Sequence, residues 1–207
     1  MLPPFPRLYA IVDAAWIAPH SLANVTRDLL DAGVRLFQYR DKKGNSRETF
    51  EASLLMIRLI RPLGGMLIVN DRADVAWAAG ADGVHLGQDD LPAEMARRIL
   101  PHGMIVGIST HSVTQVEEAD RGPADYIAFG PVFATRSKEQ PDPAVGPDGV
   151  GTVRKLTQKP LVAIGGITIE NAREVVKYGA DSIAVIGALL GAPDRRERAR
   201  QFLEELA

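Results

Sequence analysis

The sequence predicts an α/β fold, a single (β/α)8 barrel of the TIM-barrel architecture, on three observations. A short apolar run closing on a polar or glycine tip recurs eight times, at residues 8–13, 35–40, 66–71, 83–87, 104–109, 126–133, 161–166 and 182–187. Between most of these runs lies a stretch with helix-like spacing of Ala, Leu, Val and charge. The length of 207 residues sits near the lower limit for one barrel and is ample to bury a core. No linker or low-complexity segment interrupts the pattern, so residues 1–207 are read as one domain. In such a barrel the chemistry collects where the strands end.

Each interval has its own signals. Residues 21–32 read as a helix with Ser21 as candidate cap and Gly33 as its stop. Residues 46–60 and 91–100 carry apolar positions at helical spacing, and Leu55 and Met56 are packing residues there. Residues 73–79 form a short helix ending at Gly80, and residues 168–178 a helix between a Gly-Gly turn and Gly179. Residues 195–206 are amphipathic and read as the last helix, with the charge cluster 194–200 as a solvated face. Residues 134–151 carry Pro141, Pro143 and Pro147 with several glycines, so they are expected to form a loop rather than a helix. A loop of that length at a strand end is often a lid or a substrate clamp.

Composition narrows the function class. A net charge of −2 argues against a nucleic-acid partner. The absence of cysteine removes disulfides, thiolate zinc sites and cysteine nucleophiles. Residues 1–7 show no basic segment followed by an apolar run, and no apolar stretch approaches the roughly 20 residues that span a bilayer. The expectation is a cytoplasmic protein without a membrane partner, and a homo-oligomer is allowed.

The strand tips carry the chemistry. Alternate side chains of a strand share a face, so Gln38 and Arg40 point together into the barrel, with Lys42 just beyond. An inward Arg is costly unless it meets an anion, and Arg and Lys together suit phosphate oxygens. Pairing of Arg40 with a neighbouring carboxylate is the weaker alternative, because two cations and a Gln converge. Asn70-Asp71 closes the third run and Gln88-Asp89-Asp90 follows the fourth. Two acidic strand ends facing a cationic one suit a divalent cation shared with substrate phosphate, and oxygen ligands suit Mg2+. Asp89 is read as a candidate helix cap, and His85 as core packing. Gly165-Gly166 and Ile186-Gly187 follow the seventh and eighth runs, where barrels commonly bind phosphate. A Gly-Gly turn can equally be a structural corner. Two anion sites in one mouth would suit the joining of two phosphorylated molecules. No nucleophile triad is apparent, and Ser109 lacks a base in the sequence.

In this order and on these strand ends, the motifs resemble the thiamine-phosphate synthase family. They are Gln38-x-Arg40-x-Lys42, Asn70-Asp71, Gly83-Val84-His85-Leu86-Gly87-Gln88-x-Asp90, Gly107-x-Ser109, Gly130-Pro131-Val132-Phe133-x-Thr135-x-Ser137-Lys138 and Ile164-Gly165-Gly166-Ile167. The resemblance runs from Leu8 to about Leu190. It implies a Mg2+-dependent transferase that moves 4-amino-2-methyl-5-pyrimidylmethyl from its diphosphate to thiazole phosphate. Thiamine monophosphate and diphosphate are the products. By resemblance Gln38, Arg40, Lys42, Asn70, Ser109 and Lys138 hold the pyrimidine diphosphate, with Ser109, Lys138 and Arg40 nearest the chemistry. Asp71 and Asp90 bind Mg2+, while Thr135, Ser137, Gly166, Ile186 and Gly187 hold the thiazole phosphate. Two positions depart from the family pattern. Ser137 stands where Thr is usual, and Gly187, where Ser or Thr is frequent, leaves only its amide.

Two rivals are weighed. A thiazole tautomerase-like isomerase shares the scaffold but carries a catalytic His in the strand-six region, where this chain reads Gly130-Pro131. A non-catalytic paralogue that binds the precursors would show decay of the metal or cationic groups, and all of them are present.

Overall fold

A computed structural model describes residues 5–135 and 142–207. Its strands are β1 (Leu8–Asp13), β2 (Leu36–Arg40), β3 (Met66–Asn70), β4 (Gly83–Leu86), β5 (Ile105–Thr110), β6 (Tyr126–Phe129), β7 (Leu161–Ile164) and β8 (Ser182–Val185). They pair in parallel in sequence order, and β8 closes on β1. This is the predicted barrel.

The period-two rule divides every strand between two cores. Leu8, Ala10 and Val12 of β1 face outward into the shell of helices, as do Phe37 and Tyr39 of β2. Tyr9 and Ile11 face the barrel axis with Leu36, Ile68, Ile105, Tyr126, Ala128, Val162 and Ala184. Continuing the inward series toward the strand ends reaches Asp13, Gln38, Arg40, Asn70, His85 and Ser109. The apolar floor and the polar mouth are thus successive layers of one alternation.

Ordinary end signals stop and start the helices. In α1 (Leu22–Ala32), Gly33 takes φ +111° and its amide donates to the Leu29 and Leu30 carbonyls. Ser21 does not cap α1: its hydroxyl donates to the Ala18 carbonyl at 2.7 Å. A competing local turn has taken the side chain. In α2 (Ser46–Ile60), Asn45 and Glu48 exchange two 3.0 Å bonds as a capping box. Then come α3 (Ala73–Ala79), α4 (Ala93–Ile99) and α5 (Val113–Arg121), with Ser112 capping α5. The strand–helix alternation calls for a helix between β5 and β6 without fixing its bounds, and α5 supplies it.

Part of the expected loop is helical. The segment α6 (Gly146–Arg154) begins inside residues 134–151, and Pro147 sits in its first turn. There the missing amide hydrogen costs nothing, so this proline starts a helix instead of breaking one. After α6 come α7 (Ile169–Lys177), the one-turn α8 (Gly187–Leu190) and α9 (Arg195–Glu205). The charge cluster on α9 is more than a solvated face. Asp194 caps the helix, and Arg196 bridges to Asp28 and Asp31 of α1 at 3.1 and 2.7 Å. Ala199 and Phe202 are buried beneath them. Among the described residues no helix is long and apolar enough to cross a membrane.

Candidate active site

The mouth is built from the last inward residue of successive strands. Asp13 and Arg40 are register partners on β1 and β2, and the Arg40 guanidinium forms an ion pair with the buried Asp13 carboxylate. The pairing held as the weaker alternative is therefore present. It engages part of a five-donor fork and also holds that fork at the mouth. Asp13 further caps the turn after β1, accepting the Ala15 amide at 2.9 Å. Asp13 was not singled out from sequence, although it occupies the next inward position after Tyr9 and Ile11.

On the neighbouring strands Lys42 Nζ lies 2.5 Å from the Asp71 carboxylate. Burial raises the Asp71 carboxyl above the ordinary range, and Asp90 within hydrogen-bonding reach raises it further, while Lys42 opposes both. Two carboxylates crowded beside one cation need added positive charge to stay ionised together. Asp71 also holds a left-handed backbone at φ +62°, with its amide donating to the His85 carbonyl at 2.8 Å. That conformation is rare outside glycine and concentrates at functional sites. Asp90 does double duty, because one of its oxygens accepts the Gly87 amide at 2.7 Å. Among the described residues no group of three His, Asp or Glu side chains gathers for a metal. The pair Asp71 and Asp90 still fits Mg2+, which takes one or two carboxylates and completes its shell with water and substrate phosphate. At the end of β3, directly before Asp71, Asn70 Nδ2 is the one buried side-chain polar atom among the described residues without a hydrogen-bond partner. Such a donor is costly unless a ligand meets it.

The glycine side of the mouth is more tightly packed than a bare anion cradle. A Cβ on Gly166 would fall 2.5 Å from the Ala134 carbonyl oxygen, and one on Gly165 would fall 2.4 Å from Pro131 Cβ. Both glycines take positive φ. The start of the loop after β6 docks here, with Val132 and Phe133 amides donating to Ile164 and Gly165 carbonyls at 2.8 and 3.0 Å. Thr135 ends this described stretch. Ser137 and Lys138 lie outside the described residues. His111, after β5, steadies the same turn with Nδ1 2.6 Å from the Gly130 carbonyl oxygen.

Trp16 explains why position 187 is glycine in this chain. A Cβ built there would fall 2.8 Å from Trp16 Cη2, so the exposed indole fills the space of a hydroxyl-bearing side chain. Gly187→Ser is expected to push the ring outward at a cost of under about 1 kcal/mol. A shift in Trp16 emission, recorded in a Trp77→Phe background with unchanged far-UV circular dichroism, would report it.

The barrel interior below the mouth is polar along one line. His85 is buried, as expected for core packing, but it is also hydrogen-bonded: Nε2 lies 2.8 Å from Ser109 Oγ and Nδ1 lies 2.8 Å from Tyr126 Oη. Tyr126 Oη lies 3.0 Å from Tyr9 Oη, which accepts from Gln38 Nε2 at 2.9 Å. Sequence reading missed both tyrosines, whose inward positions in apolar runs were their only signal. Desolvation brings the His85 pKa down to about 4, with Asp90 and Lys42 adding smaller opposed effects. Between pH 6.5, the ordinary histidine value, and about 4, the unfolded chain holds this proton and the folded chain does not. Stability should therefore fall as pH drops through that window, by about 3 kcal/mol in full. Urea unfolding of His85→Gln should lack this part of the slope.

With this geometry in view, a family described as thiamine monophosphate synthase matches residues 8–189. The chain belongs to that family. A thiamine-phosphate synthase of Koribacter versatilis (strain Ellin345) is 53% identical over 205 residues, covering 97% of this chain and 96% of the relative. One from Chloroflexus aurantiacus is 42% identical, covering 95% and 90%. The solved thiamine phosphate pyrophosphorylase of Pyrococcus furiosus superposes with a TM-score of 0.87 at 37% identity, covering 97% of this chain and 96% of that one. Family membership makes this chain a transferase of the thiamine-phosphate synthase type.

Proposed function

We propose that this barrel joins a pyrimidylmethyl diphosphate to thiazole phosphate in a Mg2+-dependent reaction, giving thiamine monophosphate and free diphosphate. The single observation that carries the reading is the cluster at the ends of β2 to β4. There Lys42, the crowded carboxylates Asp71 and Asp90, and the unpartnered Asn70 amide converge.

The bond between the pyrimidine methylene carbon and a diphosphate oxygen breaks, and its electron pair leaves with the diphosphate. The amino group on the pyrimidine donates into the ring and spreads the positive charge on the methylene. The thiazole nitrogen then gives its lone pair to that carbon, so no proton needs to be removed. The residues therefore have to orient the reactants and neutralise charge. Arg40, Lys42 and Lys138 meet the diphosphate, Asn70 and Gln38 fix the pyrimidine diphosphate, and Ser109 lies beside the breaking bond. Asp71 and Asp90 would hold Mg2+, which when bound supplies charge neutralisation for the leaving diphosphate. Thr135, Ser137 and the backbone at Gly166, Ile186 and Gly187 would take the thiazole phosphate.

Calorimetric titration with the pyrimidine diphosphate tests this directly. Asn70→Ala should weaken binding by about tenfold, the worth of one hydrogen bond to a charged group. Binding that is indifferent to both Asn70→Ala and Mg2+ would remove the assignment of this cluster.

A further inference from the structure

We propose that Gln38, Tyr9, Tyr126, His85 and Ser109 form one directed hydrogen-bond chain that fixes Ser109 as a proton donor toward an anionic substrate oxygen. The choice of that oxygen, on the diphosphate, rests on the synthase reading above; the direction of the chain does not.

The chain crosses the barrel axis from β2 through β1, β6 and β4 to β5, over contacts of 2.9, 3.0, 2.8 and 2.8 Å. Its rings are packed as well as bonded. His85 and Tyr126 stack with centroids 5.5 Å apart and planes 20° apart, and Tyr9 meets Tyr126 edge-on at 6.1 Å. Gly107 makes the meeting of His85 and Tyr126 possible. It is the register partner of both, and a Cβ there would fall 2.0 Å from Tyr126 Cζ. The Gly107-x-Ser109 pattern thus encodes one device: space for the ring pair, then the hydroxyl that the pair orients.

Counting protons sets the direction. Gln38 Nε2 can only donate, so Tyr9 Oη accepts there, and among the described residues the acceptor left for its own proton is Tyr126 Oη. Tyr126, already accepting from Tyr9, gives its proton to His85 Nδ1. With Nδ1 accepting, the neutral imidazole carries its hydrogen on Nε2 and donates to Ser109 Oγ. Ser109 is then left with its proton to offer into the mouth. A serine beside a histidine has the outline of a nucleophile beside its base, but here the polarity is reversed. His85 has no free lone pair facing Ser109 and does not activate it. Tyr9, Tyr126 and His85 are positioning residues: they lie buried in the barrel interior and act through Ser109 and Gln38.

The test is the 15N spectrum of the folded, unliganded protein, with the His85 resonances assigned by their loss in His85→Gln. The expected result is a hydrogen on Nε2 and a bare Nδ1, with the Nδ1 resonance moving in Tyr126→Phe. In turnover, Tyr126→Phe should lower kcat by about tenfold, the value of one hydrogen bond, and leave KM for the pyrimidine diphosphate within about twofold. A hydrogen on Nδ1 in the wild-type protein, or an unchanged kcat in Tyr126→Phe, would overturn the directed chain. The nitrogen shifts are read without turnover. A protein that makes no thiamine phosphate would thus count against the synthase reading while the tautomer still decides the chain.

Discussion

Asp71→Asn is expected to lower turnover by on the order of 10³-fold while leaving the barrel folded. The carboxylate contributes in two ways. It is one of two acidic groups that would share the cation, and it holds Lys42 Nζ at 2.5 Å where diphosphate would arrive. Asparagine keeps the shape and tolerates the left-handed φ of +62°, so the backbone has no reason to move. Losing the charge also relieves the crowding with Asp90, and the change in stability should stay within about 1 kcal/mol. Steady-state kinetics at saturating Mg2+, with thermal unfolding as the control, checks both halves. A near-normal rate would show that Asp71 does not support the leaving diphosphate.

Gly107→Ala should strongly destabilise the barrel interior. The new Cβ would lie 2.0 Å from Tyr126 Cζ and 2.4 Å from its oxygen. The ring cannot retreat, since Tyr126 is fully buried between Tyr9, Phe5 and His85. Overpacking of a dense core costs roughly 1–3 kcal/mol and more where nothing yields, so a loss of at least about 3 kcal/mol is expected by urea unfolding. The double variant Gly107→Ala, Tyr126→Phe should recover little, because the ring carbon is the clashing atom as well as the oxygen. Full recovery would mean that the strain lies in the hydrogen bonds instead.

What could be read from the sequence was whatever depends on local period. Gln38 and Arg40 share a face because strands alternate, and Asn70, His85 and Ser109 follow by the same rule. The eight strands and most helix stops at glycine were legible for that reason. Register and distance in sequence hid the rest. Asp13 pairs with Arg40 only because β1 and β2 align those two positions. Trp16 meets Gly187 only because β8 returns beside β1. Pro147 carried a breaker signal whose meaning depends on where the helix begins, and that is set by packing of Val150 and Val153 against the barrel. His85 looked like core and is core. Its hydrogen bonds needed Gly107 and Tyr126 to be seen side by side.

The most direct measurement is a coupling assay of the purified protein with pyrimidine diphosphate, thiazole phosphate and Mg2+, run with and without EDTA. Thiamine monophosphate is read as fluorescent thiochrome after oxidation. Product that appears with Mg2+ and disappears with EDTA is the predicted result. No product from folded protein, or equal product in EDTA, would contradict a barrel mouth built to release diphosphate with a cation at Asp71 and Asp90.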